Sequence, residues 1–236
     1  MTEWLPPSIR YRLRGARPML ESLGVMRPVS FGLNGLDRRL LDYVNFRNGT
    51  FVEAGANDGF TQSNTYYLER YLGWRGLLIE PIPELAAKCR ERRPGSIVEE
   101  CALIARDDPR THIEMTYCNL MSMVDGARGS AEADAAHVQR GLQHLRAEEN
   151  TRRLEVRTAS LDDLLRRHVI SKVDLLSLDV EGFEPQALMG MDFDVIRPTW
   201  ILVEANEPEA IEAALQGKYR LAAELSHHDR LYRALS

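Results

Sequence analysis

Apolar runs alternate with stretches of helical periodicity over most of the chain. Residues 50–54 (TFVEA) are apolar and β-favouring and lead straight into Gly55 and Gly59, with helical periodicity over 63–72. Residues 76–80 (GLLIE) form a second run, stopped by Pro81 and Pro83, before a helix over 84–92 that ends at Pro94 and Gly95. Residues 96–103 supply a third strand. In the second half, Ser160, Asp162 and Asp163 read as the capped start of a helix ending near His168. Residues 173–179 (VDLLSLD) are the clearest strand, 199–204 another, and 207–215 a helix; 218–225 and 230–235 are two final strands joined by a short turn. Strands separated by helices require parallel crossovers, which predicts an open α/β sheet with helices on both faces and an antiparallel pair at one edge.

Residues 117–150 break this rhythm. A mixed run (YCNLMSM), a turn-rich DGARGS and a polar, Ala-rich helical stretch over 131–149 read as an insertion over the carboxyl end of the sheet. Such a segment is either a lid or a plain surface excursion. With neither repeat nor proline-rich linker, the chain divides into a basic N-terminal arm (1–45) and one domain (46–236) carrying that insertion.

Composition narrows the class. With 44% hydrophobic and 28% charged residues, the chain is an ordinary soluble globular protein and not a disordered one. No apolar stretch approaches the roughly 18 residues of a membrane span. The net charge of −5 argues against nucleic acid as a partner. Residues 1–50 nonetheless hold eight arginines against four acids, so the rest of the chain carries −9. The cluster Arg10, Arg12, Arg14 and Arg17 reads as a solvated arm in preference to a contact with an anionic surface. Cys89, Cys101 and Cys118 lack CxxC spacing, which supports neither a disulfide framework nor a zinc site. With no apolar secretory segment at the N-terminus, a reducing cytoplasm is the expected setting.

The chemistry concentrates in Phe51-Val52-Glu53-Ala54-Gly55-Ala56-Asn57-Asp58-Gly59. A strand ending in an acid, two glycines and a helix start is the geometry of a nucleotide site at the carboxyl end of a first strand. A dinucleotide site wants GxGxxG, whereas here the pattern is ExGxNxG. An acid before the first glycine opposes a pyrophosphate but suits the sulfonium and ammonium of S-adenosylmethionine (SAM). Glu80, closing the second strand, is placed to accept both hydroxyls of an adenosine ribose.

FVEAGANDGFTQSNT, LGWRGLLIEPIP, SLDDLL and VDLLSLDVEGFEPQALMG, in this order, resemble the FkbM family of SAM-dependent methyltransferases over about residues 48–205. The resemblance implies the Rossmann-like class I methyltransferase fold, a seven-stranded, mostly parallel sheet whose last strand is antiparallel. It also implies that Glu53, Gly55, Asn57 and Gly59 form the SAM loop, that Glu80 holds the ribose, and that Glu100 or Ala102 meets the adenine. Gln62, Ser63, Asn64 and Thr65 either contact the methionine moiety or cap the helix.

For transfer, Asp179 and Glu181 follow the fourth strand and project to one side if the extended conformation continues. Glu204 ends the next strand. These acids bind Mg²⁺, with Asp179 and Glu204 as ligands, or orient a substrate hydroxyl directly, or Asp179 is a hydrogen-bonded acid in the cofactor site next to SAM. Candidate bases are His227 and His228, in the last turn, and His137 and His144, on one face of the inserted helix; His112 and His168 have no comparable placement. The expected function is O-methylation of a small molecule or sugar, as in natural-product biosynthesis. N- or C-methylation, an NAD-dependent oxidoreductase and a non-catalytic binding module are the alternatives. The oligomeric state stays open, a homodimer included.

Overall fold

The structure is a computed structural model that describes residues 30–118, 122–127, 130–142 and 151–235. The arginine cluster of the arm and His144 lie outside these residues. Among the described residues no helix is long and apolar enough to cross a membrane. Residues 30–45, assigned to the arm by the sequence, pack on the domain through buried Leu36 and Leu40 of helix α1 (Leu36–Leu40) and Val44.

Five strands of the main sheet are parallel: β1 (Thr50–Ala54), β2 (Arg75–Ile79), β3 (Ile97–Glu99), β8 (Leu175–Leu178) and β9 (Trp200–Glu204). The chain closes with β10 (Tyr219–Glu224) and β11 (Asp229–Ala234), and the order across the sheet is β3-β2-β1-β8-β9-β11-β10. This is the seven-stranded sheet expected, with one refinement. The last strand, β11, inserts antiparallel between β9 and β10, so β10 forms the edge.

Helices α2 (Tyr66–Leu72) and α3 (Pro83–Arg92) pack with α1 on one face; α5 (Leu161–Arg167), α6 (Glu184–Met189) and α7 (Pro208–Ala214) cover the other. Ser160 caps α5 as its sequence predicts, its hydroxyl accepting from Asp163 N at 3.1 Å. Side chains alternate along the buried strands. In β1, Phe51 joins the layer holding Leu40, Leu68 and Trp74, while Val52 and Ala54 join the layer holding Leu161, Leu188 and Ile211.

The sequence expectation fails in the middle of the chain. Residues 96–103 are not one strand: β3 stays in the main sheet, and after a bend β4 (Ala102–Leu103) joins a second sheet with β5 (His112–Tyr117), β6 (Met123–Val124) and β7 (Arg152–Ala159). The order there is β4-β7-β5-β6, and helix α4 (Ala131–Gly141) lies between β6 and β7. The departure from βα alternation therefore runs from His112 to Ala159, wider than the expected 117–150. β5 is buried on one face only, its pattern exposing His112 and Glu114 while burying Ile113, Met115 and Tyr117.

Phe51 and Glu53 share a parity, so Glu53 faces the layer of α2 and α3, where it is 4% exposed. There it meets Arg93, fully buried just past α3: Nη1 lies 3.1 Å from Glu53 Oε2, and Nε donates to Glu69 Oε2 at 2.6 Å. The guanidinium also lies 5.0 Å from the Phe51 ring centre. Removing one partner of such a pair strands the other charge in the core, which costs about 3–5 kcal/mol. Arg93→Met is expected to lower unfolding free energy by about that amount in urea denaturation, and adding Glu53→Gln is expected to recover part of it.

Candidate functional site

The turn after β1 is built around a close approach. Gly55 has φ 78°, and a Cβ there would lie 1.7 Å from the Asp179 carbonyl oxygen. Only glycine lets the turns after β1 and β8 pack so tightly. Asn57 is also left-handed, at φ 50°. Its N–H donates to Glu80 Oε2 at 2.8 Å, and Ile82 N–H donates to Oε1 at 3.0 Å. Glu80 is 4% exposed, and burial pushes its carboxyl up to about 8 against the pull of those two amides.

A cleft of about 840 Å³, counted to its open mouth, lies at these strand ends. Gly55, Asn57, Gln62 and Ser63 line one wall, Glu80 with Cys101, Ala102 and Leu103 another. Asp179, Val180, Glu181 and Phe183 line a third, and Met115 of β5 and Val124 of β6 bring the second sheet against it. The charged lining residues are Glu80, Asp179 and Glu181; among the described residues neither Lys, Arg nor His lines it. Three non-glycine lining residues have positive φ: Asn57, Gln62 (61°) and Glu181 (57°). Such conformations gather where the surroundings hold a side chain in place for use.

The structure thus brings Gly55, Asn57, Glu80, Ala102, Asp179 and Glu181 to one cleft. Several expected residues lie elsewhere. Glu53 points under the sheet, where besides Arg93 it accepts from the hydroxyls of Ser63 (3.0 Å) and Thr65 (2.6 Å) and from Asn64 N–H (2.8 Å). Its carboxylate supports the turn from below rather than facing the cleft. Gly59 packs against Cys89. Glu100 turns to the surface and pairs with Arg90 at 3.1 Å. His227 and His228 occupy the β10–β11 turn at the carboxyl edge, with the His228 carbonyl accepting from Ala205 N–H at 2.7 Å, outside the cleft lining. Asp179 and Glu181 reach the cleft by a different route from the one expected. The strand ends at Leu178, and the left-handed Glu181 turns the chain back.

Asp179 and Glu204 do meet, joined by Glu184 of α6, with one oxygen of each within 4.8 Å of the others. Glu184 carries no signal in the sequence beyond its place in the VEGFE run. Its Oε1 accepts from Val180 N–H (2.8 Å) and Gly182 N–H (3.1 Å), and its Oε2 also accepts from Gly182. Glu184 is therefore committed to holding the 180–182 turn. Burial raises its carboxyl to about 7. Asp179 opens to the cleft, yet surrounding protein and the charges of Glu204, Glu181 and Glu184 hold its carboxyl well above the ordinary range. Burial and mutual repulsion thus favour the protonated forms of Asp179 and Glu184.

A cleft at the carboxyl edge of this sheet, with a glycine turn on β1 and a buried acid ending β2, defines a Rossmann-like domain of the class I methyltransferase type. The family model for the methyltransferase FkbM domain matches residues 53–233, and the chain belongs to that family. It is a methyltransferase by family, which sets the oxidoreductase alternative aside. A TehB-like SAM-dependent methyltransferase from Corynebacterium glutamicum is 11% identical with a TM-score of 0.43, over 98% of this chain and 100% of that one. For the methyltransferase FkbM of Methylobacillus flagellatus the values are 12% and 0.44, over 94% of this chain and 60% of that longer one. An RNA methyltransferase from Salinibacter ruber, in complex with S-adenosylhomocysteine, is 14% identical with a TM-score of 0.38. No curated protein matches the sequence.

The raised acids fix a sign for pH dependence. The folded chain keeps protons on Glu80 and Glu184 that the unfolded chain releases near 4.5. Their contribution is full below that value and is lost as pH rises through about 7 and 8. Each extra proton retained corresponds to about 1.4 kcal/mol per pH unit. The melting temperature of the ligand-free protein is expected to fall between pH 5.5 and 8.5, with a shallower fall in Glu80→Gln.

Proposed function

We propose that this protein transfers the methyl group of SAM to a hydroxyl of a small molecule or glycan. The observation that carries the reading is a cleft lined by three carboxylates and by no cationic side chain among its described residues. That lining suits a cationic cofactor, whose charge draws the acids toward their ionised forms, and an acceptor that brings no negative charge of its own. When bound, SAM supplies an electrophilic methyl on a sulfonium.

In this reading Glu80 accepts the ribose hydroxyls. Its two amide bonds, from Asn57 and Ile82, fix both oxygens in place before any ligand arrives. Ala102 and Leu103 border the adenine, and the Gly55–Asn57 turn borders the methionine portion. Asp179 and Glu181 stand at the reacting end, where a hydroxyl must be oriented and relieved of its proton. Apolar Met115, Val124 and Phe183 exclude water and receive the apolar body of the acceptor.

Titration calorimetry with SAM and S-adenosylhomocysteine, followed by transfer of labelled methyl to a panel of neutral hydroxyl compounds, tests this directly. Micromolar binding is expected, with Glu80→Ala weakening it at least tenfold and Asp179→Ala abolishing turnover. Absence of binding in the wild-type protein would favour a non-catalytic module, and a methylated amine or carbon would move the reaction to the alternative acceptor class. Turnover is expected to persist in EDTA. Loss there, with recovery on adding Mg²⁺, would assign Asp179, Glu184 and Glu204 to a metal.

A further inference from the structure

Helix α4 reaches back to the cleft from the second sheet. His137 on it is 1% exposed, and its Nε2 lies 3.4 Å from Glu181 Oε2, whose side chain is 18% exposed and lines the cleft. An imidazole is seldom buried so completely without a polar partner to receive it. The pairing joins an element far along the chain to the turn that follows β8.

The Glu181 side of the contact is equally constrained. Its φ of 57° is unfavourable for a residue with a Cβ. Glycine or asparagine would take that conformation more readily, and Gly182 follows at once with φ 100°. The turn is pinned regardless: Glu184 accepts from Val180 and Gly182 N–H, and Phe183 is buried with Met115, Val124 and Val156 of the second sheet. The conformation is therefore held from both sides with a carboxylate presented between cleft and helix.

We infer that Glu181 is the catalytic residue that takes the acceptor's proton, and that His137 is the positioning residue that aims its carboxylate. Helix α4 thereby completes the reactive end of the site. The inference rests on the methyltransfer reading above and extends it by assigning a role to the helix. As the acceptor oxygen bonds to the methyl carbon, the sulfur–methyl bond breaks to leave a neutral thioether. The hydroxyl proton passes to a Glu181 oxygen, and from there to solvent once product leaves. His137 donates to the other oxygen throughout, stabilising the carboxylate before transfer.

A probe independent of the acceptor tests this. Sinefungin carries an amine where SAM carries its methyl, so a carboxylate facing the reacting end favours it over S-adenosylhomocysteine. Calorimetry on the full-length chain is expected to show that preference in the wild type. Glu181→Gln is expected to reduce the ratio of the two affinities at least fivefold, and His137→Leu at least threefold. His137→Gln, which keeps an N–H near the position of Nε2, is expected to retain more of the preference than His137→Leu. Asp179→Asn is expected to change the ratio less than Glu181→Gln. A preference that survives both Glu181→Gln and His137→Leu, or that disappears chiefly in Asp179→Asn, overturns this inference alone. A wild-type protein that binds neither ligand overturns the methyltransfer reading, and this one with it. As a second measurement, amide exchange in Ala131–Gly141 is expected to slow on adding sinefungin in the wild type and much less in His137→Leu; equal slowing in both overturns the role of the helix.

Discussion

The geometry of the cleft depends on an ion pair that never touches it. Glu53 and Arg93 meet beneath the carboxyl end of β1, and around them gather the hydroxyls of Ser63 and Thr65, Asn64 N–H and the Glu69 carboxylate. This ties together β1, the loop after the glycine turn, the first turn of α2 and the end of α3. Burying a charge is expensive, and a buried pair adds little net stability over an apolar substitute. What it supplies here is a fixed arrangement. A chain segment that turns at Gly55, turns again at Asn57 and enters a helix at Tyr66 has many ways to fold. The observed fold places Ser63, Asn64 and Thr65 all on one carboxylate.

Above that support the cleft has the opposite electrostatic character. Burial raises Glu80 to about 8 and Glu184, behind the 180–182 turn, to about 7, while burial and the charges of Glu204, Glu181 and Glu184 hold Asp179 well above the ordinary carboxylate range. Glu80 is drawn both ways: burial favours the neutral acid, while the amides of Asn57 and Ile82 favour the ion. A ligand offering two hydroxyl donors tips that balance toward the carboxylate, and a cation nearby tips Asp179 in the same direction. In the proposed reading, a positively charged ligand would relieve the repulsion among Asp179 and its acidic neighbours.

The main sheet was legible because its strands are buried on both faces and read as unbroken apolar runs such as LLSL and WILVE. The glycine turn and Glu80 were legible for a related reason, since close approach and strand-end acids leave marks at fixed spacings. The second sheet was not. Its β7 reads RRLEVRTA, three arginines and a glutamate in eight residues, because one face meets solvent and only alternate positions are apolar. Glu53 shows a signal present but misread: sharing parity with Phe51 sends it below the sheet, whereas its neighbourhood to the glycines suggested the ligand. Glu181 lay beyond the rule applied to it, because strand alternation says nothing once the chain turns left-handed.

This division follows from how the two ends of the cleft are made. The end holding Gly55, Asn57 and Glu80 is built by the sheet itself, where altering a residue disturbs strand packing, so its chemistry must be written locally. The other end is assembled from Met115, Val124 and His137, supplied by strands and a helix inserted between β4 and α5, and these meet Glu181 and Phe183 only in three dimensions. Residues drawn from such an insertion can vary in shape and polarity without loosening the parallel core, since their contacts are to the rim of the sheet. The first end is therefore constrained by the packing of the sheet, and the second by contacts that form only in the folded chain. A motif is the trace of the first constraint. The second leaves none, because the pairing of His137 with Glu181 depends on the fold closing over 43 intervening positions of sequence rather than on any spacing within it.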